Sequence, residues 1–264
     1  MRITIALMAI MIAKLAYSQN FESLCNEGIR NIGKKDYKNA IINFERASRL
    51  SANDSEKVYT YANIAFSYQM AGNMYKALHN YSKALEINGN DITLMQQRAG
   101  IYMYLDSTDK AITDYSYILE REPGNRSALF YRAHIYTLTG EFGKARADFH
   151  ALMSIDPEDG NARLGYAKLY QKERRYNECL MLLGKLIEDY PSSAQYYIAR
   201  SDVSREMGQT ELALMDVEEA IELEPDNANH YRLQSILLDR LGRKDASAKS
   251  INIANRLMNK QQDL

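Results

Sequence analysis

The sequence predicts an all-α protein, a solenoid built from helix–turn–helix repeats, and three observations predict it. All four prolines of the chain lie 34 residues apart, at Pro123, Pro157, Pro191 and Pro225. A series of tyrosines has the same spacing, at Tyr68, Tyr102, Tyr136 and Tyr170. Small residues also recur at two positions of this period. A fixed period of this size is typical of a repeat array, in which each unit packs only on its neighbours.

The composition agrees with a folded helical chain. The sequence has 264 residues, of which 46% are hydrophobic, and its formal net charge is −1 at pH 7. Acidic and basic residues are interspersed, and no basic stripe is available to neutralise phosphates, so we expect no nucleic-acid partner. The low proline content favours helices over irregular structure.

Counting Arg126 as position 1 of the fourth repeat sets the register of the whole chain. The predicted repeats span 21–54, 58–91, 92–125, 126–159, 160–193, 194–227 and 228–261, the last of them a polar C-terminal cap. Successive repeats start 34 residues apart, except for 37 between the first two. We assign the three extra residues to a polar linker over residues 51–57.

Each element of the repeat has a physical reason. Positions 8 and 20, such as Ala133 and Ala145, are small, because two helices approach closely only where their side chains are small. A glycine at position 15 favours a left-handed turn between the helices, and the proline at position 32 ends the second helix. We expect the following residue with a short polar side chain to cap the next helix, as at Asn125, Asp159 and Asp226.

Together these residues resemble the tetratricopeptide repeat, a 34-residue helix–turn–helix unit. In the fourth repeat the resemblance is carried by Ala133, Tyr136, Gly140, Ala145, Phe149 and Pro157. It covers residues 21–261 and implies a right-handed superhelical solenoid whose first helices line a concave wall. A family defined by packing residues says little about its partner.

Residues 1–18 differ from the repeats. Arg2 precedes an apolar run over residues 3–13, and Ala16 and Ser18 are small residues before Gln19. This pattern is typical of a secretory signal peptide, so we expect a periplasmic or secreted protein without stable membrane insertion after cleavage. The alternative is a leader helix that packs on the first repeat of a cytoplasmic protein. Cys25 and Cys179 lie in distant repeats, which predicts two free thiols.

No catalytic or metal-binding pattern is present. The four histidines, His79, His134, His150 and His230, do not pair with one another or with a cysteine at a ligand spacing. Phosphate-binding loops and nucleophile motifs are also missing from the sequence. We therefore expect no enzyme activity, no metal and no cofactor.

The remaining candidate is a binding surface. The resemblance implies that positions 2, 5, 9 and 12 of the first helices face a ligand, and we call these positions the groove stripe. The candidate peptide-binding residues on it are Tyr59, Phe66, Gln69, Gln96, Met103, Phe130, His134, Thr137 and Lys168. The stripe predicts a protein or peptide partner. Two alternatives remain: Phe66 and Phe130 pack against neighbouring helices, or the chain self-associates as a structural subunit through its uncapped N-terminal end.

Overall fold

The computed structural model describes residues 19–262, and every regular element in this range is an α-helix. Helix α1 is described over residues 19–33. The others are α2 (Tyr37–Arg49), α3 (Asp54–Met70), α4 (Met74–Ile87), α5 (Ile92–Tyr104), α6 (Thr108–Arg121), α7 (Arg126–Thr139), α8 (Phe142–Ile155), α9 (Gly160–Lys172), α10 (Tyr176–Asp189), α11 (Ala194–Glu206), α12 (Thr210–Leu223), α13 (Ala228–Arg240) and α14 (Lys244–Gln262). The all-helical prediction is confirmed. The predicted signal peptide lies outside the described residues.

The chain divides into two compact units, Met1–Ala128 and Leu129–Leu264, which we call the N-terminal and C-terminal units. In the N-terminal unit the consecutive helices α2, α3, α4, α5 and α6 pack on one another in sequence order. In the C-terminal unit the same holds from α8 to α14. Contacts between sequential helices are the mark of a helical-repeat solenoid, so the predicted class is correct for each unit.

The first helices begin where the repeat register places position 1, at Ile92, Gly160, Ala194 and Ala228. Helix α3 begins earlier than the register predicts, at Asp54, and is 17 residues long. The Asn53 side chain accepts a hydrogen bond from the Glu56 amide at 2.9 Å, and acidic residues in a first turn favour the helix. The linker predicted over residues 51–57 was therefore wrong, since most of it is helix.

The turn between the two helices of each repeat uses a left-handed residue at position 15. Four repeats place a glycine there, with φ between 75° and 82°, namely Gly72, Gly140, Gly208 and Gly242. The other three place Lys35, Asp106 and Arg174 in the same conformation, with φ between 53° and 59°. The predicted turn is thus confirmed and extends to repeats without the glycine.

Predicted helix caps are confirmed in two of three places. Asp159 accepts amide hydrogen bonds at the start of α9, and Asn125 accepts one from the Ala128 amide at 3.0 Å. Before α13 the capping residue is Asn227 rather than Asp226. Helix α13 begins at Ala228, so Asn227 occupies the capping position directly before it, and its side-chain oxygen accepts a hydrogen bond from the Asn229 amide at 3.1 Å.

The helix crossings lie at positions 8 and 20, as predicted. Ala133 and Ala145 are both fully buried. Where these positions are polar, the side chain spans the crossing: the Cys179 thiol donates to the Ala167 carbonyl at 3.1 Å, and the Ser201 hydroxyl to the Ala213 carbonyl at 2.8 Å. Such bonds require the two backbones to approach closely, which only small residues allow.

Buried ion pairs join the two helices of several repeats. Arg98 holds Asp114 through two hydrogen bonds of 2.8 and 2.7 Å, and Arg132 holds Asp148 with the same two distances. Arg200 and Asp216 form a third pair, with a shortest contact of 2.6 Å. The members of each pair lie 16 residues apart. The sequence interpretation missed these pairs, although the spacing recurs with the repeat.

Candidate functional site

The nine candidate residues belong to two units. Five lie in the N-terminal unit, namely Tyr59, Phe66, Gln69, Gln96 and Met103, and four in the C-terminal unit, namely Phe130, His134, Thr137 and Lys168. Within each unit the structure separates the groove stripe into two pairs of positions. Positions 2 and 9 are open to solvent or half-buried, whereas positions 5 and 12 mostly pack against other helices.

Helix α3 presents the exposed aromatic residues of the stripe. Tyr59 is 43% exposed and Phe66 is 37% exposed. They lie seven residues apart, close to two helical turns, and therefore share one face of α3. Ile29, at position 9 of α1, is 46% exposed. In the fourth and fifth repeats, position 9 is instead polar, with a half-buried His134 and an exposed Lys168.

Position 12 covers the large residue of its own repeat. The Tyr81 hydroxyl donates to Gln69 at 3.2 Å, and the Tyr115 hydroxyl donates to the Met103 sulfur at 3.6 Å. Thr137 is 5% exposed, and its hydroxyl donates to the Ala133 carbonyl within α7 at 2.8 Å. Gln69 and Met103 therefore have internal contacts, and Thr137 has almost no surface to offer a partner.

Position 5 packs against its own repeat and, at Phe130, also against the next one. The Gln96 amide donates to Asn125 at 3.0 Å and so supports the residue that caps α7. Phe130 is half-buried and meets the ring of Phe149 edge-on, with ring centroids 6.3 Å apart. A Cβ on Gly165 would lie 3.4 Å from the Phe130 ring and 2.6 Å from that of Phe149. Phe130 thus packs against neighbouring helices, as one alternative predicted for Phe66 and Phe130, whereas Phe66 is 37% exposed.

Burial and neighbouring charge shift several titratable groups. Burial and then the Lys168 cation lower the pKa of His134, which favours its neutral form. Burial raises the pKa of Tyr81 to about 12, so its hydroxyl stays a donor toward Gln69. Burial, followed by the Glu56 and Glu22 carboxylates, raises the pKa of Cys25 to about 11. Cys25 and Cys179 are both buried and free, as predicted.

Two open clefts flank Tyr59. The first, with a volume of about 510 Å³, lies between α1 and α3 and is lined by Phe21, Glu22 and Glu56 among others. The second, of about 550 Å³, lies between α3, the end of α4 and the start of α5. Tyr59 lines both clefts, and its ring meets the buried ring of Phe44 edge-on at 6.5 Å. The tyrosine is therefore a fixed ridge between two recesses.

The sequence interpretation missed a second set of exposed apolar residues, at position 13. In the N-terminal unit Met70 is 48% exposed and Tyr104 is 70% exposed. They follow the repeat, 34 residues apart, at the ends of α3 and α5. The signal was available, because the fifth, sixth and seventh repeats carry charged residues at this position, namely Lys172, Glu206 and Arg240.

The described helices contain neither a metal-binding cluster nor a membrane-spanning segment. Over residues 19–262, no three or more His, Cys, Asp or Glu side chains are grouped so that they could hold a metal ion. None of the helices in this range combines the length and apolar character needed to cross a membrane.

Comparisons with known proteins concern mainly the centre of the chain. Three family models, each described as a tetratricopeptide repeat, match residues 98–160, 139–202 and 194–227. Among curated proteins, a Photosystem I assembly protein, Ycf3, from Synechococcus sp. (strain CC9605) is 31% identical over 99 residues. That match covers 36% of this chain and 57% of the relative, so the chain spans little more than half the length of that protein.

Solved structures with the same fold cover more of the chain. A tetratricopeptide repeat protein from Parabacteroides merdae superposes with a TM-score of 0.82 at 26% identity, over 90% of this chain and 93% of that one. The C-terminal part of a repeat-containing protein from Cytophaga hutchinsonii gives a TM-score of 0.64 at 16% identity, over 85% and 92%. The chain therefore contains tetratricopeptide repeats, as its recurring residues predict.

Proposed function

We propose that the chain is a non-catalytic interaction scaffold of the cell envelope that binds a peptide or an extended protein segment along its groove stripe. Tetratricopeptide repeats generally mediate protein–protein interactions. The observation that carries the proposal is the pair of exposed aromatic side chains on one face of α3, Tyr59 and Phe66. Large apolar side chains grouped on an exposed face usually mark a binding surface.

The physical argument is the removal of apolar area from water. Phe66 and Tyr59 are each more than a third exposed, and each buries further apolar surface when a partner covers it. Tyr59 is also held by the edge of Phe44, so little side-chain entropy is lost on binding. Aromatic anchors of this kind often contribute about 2 kcal/mol or more to an interface.

Phe66→Asp tests the proposal, because a carboxylate on this face opposes any apolar contact. The full chain is tagged, used to capture proteins from an envelope extract, and the bound proteins are identified by mass spectrometry. We expect Phe66→Asp to lose a partner that the unaltered chain retains, with an unchanged helical circular dichroism spectrum. Phe130→Asp is unsuitable, since Phe130 packs on Phe149 and its loss would disturb the fold.

Met215→Asp is the matched control for this capture experiment. Met215 is 61% exposed on α12 and does not belong to the groove stripe. The substitution Met215→Asp introduces the same negative charge as Phe66→Asp at another exposed apolar side chain. Retention of the same proteins by Phe66→Asp and the unaltered chain would contradict the proposal, and equal loss in both variants would indicate unspecific hydrophobic capture.

Export to the envelope is part of the same proposal and rests on residues 1–18. Their basic residue, apolar run and small residues before Gln19 support a cleaved signal peptide. Fractionation of the native cells and N-terminal sequencing of the purified protein test this step. We expect an envelope or extracellular protein that begins at Gln19, whereas a cytoplasmic protein that retains Met1 would contradict export.

A second candidate function is a structural or assembly subunit that self-associates through its N-terminal end. The open cleft between α1 and α3 favours it, as does the similarity to a protein named for assembly. Multi-angle light scattering of the mature protein distinguishes this candidate. A concentration-dependent dimer that is lost in Phe21→Asp supports self-association, and a monomer at the highest soluble concentration removes it.

A further inference from the structure

We propose that the two clefts beside Tyr59 select a basic, apolar peptide segment, in which apolar side chains enter the clefts and neighbouring lysine or arginine side chains reach the carboxylates around them. This inference rests on the proposed function and assigns the chemistry of its partner. It concerns only the N-terminal unit, in which all the lining residues lie.

The apolar part of the clefts is divided by Tyr59. On one side Phe21 and Cys25 face Tyr59 across the first cleft. On the other side Val58, Ala62 and Leu94 line the second cleft. Each recess has space for a side chain, and a segment that crosses the tyrosine ring places one apolar group on either side. In an extended peptide, residues two apart point to the same side, which matches two recesses along one ridge.

The charged part of the clefts is acidic throughout. The first cleft is lined by Glu22 and Glu56, and the second by Asp54 and Asp91. Neither set of described lining residues includes a lysine or an arginine. The clefts therefore carry net negative charge beside apolar side chains, and a partner with positive charge beside its apolar groups is complementary to both features.

The local partners of these carboxylates decide which of them act on a ligand. Asp54 contributes least, because Lys57 contacts it at 3.2 Å. Glu56 accepts a hydrogen bond from the Ala52 amide at 2.6 Å, and Asp91 accepts one from the Leu94 amide at 3.0 Å. These amide contacts fix the orientation of the two carboxylates and leave further lone pairs for a cation.

Two further facts place Glu22 and Glu56 together at the first cleft. Glu22, Cys25 and Glu56 all line this cleft, and both carboxylates help to raise the pKa of the Cys25 thiol. Glu22 is exposed, whereas Glu56 is partly buried. A partly buried carboxylate next to an apolar surface interacts more strongly with a cation than one in open solvent, because salt and water screen it less.

The apolar side chains and the carboxylates of the clefts have different energetic roles. Burial of apolar side chains supplies most of the binding free energy. The carboxylates supply selectivity, since an acidic segment in the same clefts would suffer repulsion and pay to desolvate its charges. Tyr59 and Phe66 alone would accept any apolar peptide. The acidic lining predicts discrimination between basic and acidic versions of one apolar sequence.

The experiment selects peptides with the full chain as bait. A library of random short peptides displayed on their own messenger RNA is passed over the immobilised protein, and bound sequences are compared with the unselected library. We expect enrichment of peptides that combine leucine, phenylalanine or other apolar residues with lysine and arginine. The best peptide is then labelled, and its affinity is measured by fluorescence anisotropy beside a copy in which every basic residue is replaced by glutamate.

The expected result is at least about a tenfold weaker affinity for the glutamate copy, equivalent to about 1.4 kcal/mol. The variant E22Q/E56Q/D91N should lose most of that difference, and higher salt should do the same. Asparagine retains the capping function at position 91, and each substitution preserves the side-chain shape. The matched control is E218Q/E219Q/E222Q on the exposed face of α12, which changes the net charge equally and should leave both affinities unchanged.

The remaining outcomes separate the two proposals. Enriched peptides that are neutral or acidic, yet lost in Phe66→Asp, would overturn the charge inference and leave the groove function standing. A library with no enriched peptide at all would overturn both. Peptide binding that weakens as the protein concentration rises, together with a dimer mass in light scattering, would assign the clefts to a second copy of the chain and overturn the inference.

Discussion

Helices α3 and α7 carry aromatic residues on the same groove stripe, and the two units use them differently. Phe66 in the N-terminal unit is 37% exposed. Phe130 in the C-terminal unit is half-buried and lies edge-on to Phe149. Gly165 allows that contact, since a side chain there would meet the rings of both phenylalanines. Phe66 is at position 9 and Phe130 at position 5, so the exposure of an aromatic residue of the stripe depends on its position in the repeat and on the residue that faces it from another helix.

The comparison extends to the stripe as a whole. Positions 2 and 9 are open on α3, while position 12 accepts a hydroxyl from the large residue of the same repeat, as in Gln69 and Met103. Position 5 packs within the array, where Gln96 contacts the last residue of its own repeat and Phe130 lies beside Gly165 of the following one. Residues that lie on one stripe of an isolated helix thus have two different environments in the array.

The largest expected effect is one that the two units should share. Asp114→Ala and Asp148→Ala each leave a partly buried arginine without its bidentate partner, Arg98 or Arg132. Both pairs have the same distances and the same side-chain exposures, 21% and 8%. We expect each substitution to lower the free energy of unfolding by about 3 kcal/mol, measured by urea denaturation followed by circular dichroism.

Equal losses of unfolding free energy in Asp114→Ala and Asp148→Ala would show that the two units respond alike to a matched change. Different effects of substitutions on the groove stripe would then reflect the stripe residues themselves. Because repeat arrays can unfold in parts, hydrogen exchange of the amides in each unit should accompany the denaturation curves. A loss confined to one of the two aspartates would contradict the shared role of the pairs.

The second prediction compares the stability cost of removing each of the two phenylalanine rings of the groove stripe. Phe130→Ala removes a packed ring and should cost about 2–3 kcal/mol, somewhat less than for a fully buried phenylalanine. Phe66→Ala should cost about 1 kcal/mol or less, because much of that ring is already in water. Urea denaturation of the two variants measures the difference. If Phe66→Ala were the more destabilising, Phe66 would be a core residue and not an anchor.

The sequence predicted the repeat far better than the site, and the reason is physical. Small residues at positions 8 and 20 recur because every repeat has the same crossing, so Ala133 and Ala145 are visible in the period itself. The contact between Phe130 and Phe149 depends on Gly165, which occurs at its position in a single repeat. A periodic pattern carries no information about such a local exception, and it placed Thr137 on the groove although that residue is buried.

The buried ion pairs are an intermediate case. Their spacing of 16 residues within a repeat and 34 between repeats could have been found in the sequence, as in Arg98, Asp114, Arg132 and Asp148. Charged residues on helices are usually solvated. Because these residues were expected to be solvated, their recurring spacing was not recognised as that of ion pairs. The early start of α3 was missed for a similar reason, because Asp54 and Glu56 are polar residues that also suit a first helical turn.

The third prediction concerns Gly165, which leaves room for the rings of Phe130 and Phe149. Gly165→Ala would place a methyl group 2.6 Å from the Phe149 ring, and Phe149 is 1% exposed and has little room to move. We expect a loss of about 2 kcal/mol from overpacking. Gly100→Ala is the matched control on α5, where nothing lies within 4 Å of the added carbon. Alanine is the better helix former, so this control should gain up to about 1 kcal/mol.

Opposite signs for these two glycine variants, measured as midpoints of thermal unfolding, would support close packing of Phe130 and Phe149 beside Gly165 as the reason that Phe130 is half-buried. A stabilising Gly165→Ala would contradict it, because the two rings would then have to lie elsewhere.

The smallest effect tests the polar end of the stripe, at His134. Its pKa is lowered first by burial and then by Lys168. The unfolded state therefore binds the imidazole proton more tightly than the folded state does. The contribution to stability is fully present above about pH 6.5, the ordinary histidine pKa, and is lost as the pH falls through the folded pKa. Lys168→Met should raise the pKa of His134 but keep it below the ordinary value, because burial remains.

Nuclear magnetic resonance titration of the His134 ring proton measures this shift, and Lys185→Met on α10 is the control that should leave it unchanged. The same titration also tests how the residues at position 9 differ between the two units. The N-terminal stripe presents Phe66 at position 9, where the C-terminal stripe presents His134 and Lys168. If Lys168→Met did not move the titration, the two side chains would not share one surface, and the C-terminal stripe would be solvated charge without an electrostatic contact of its own.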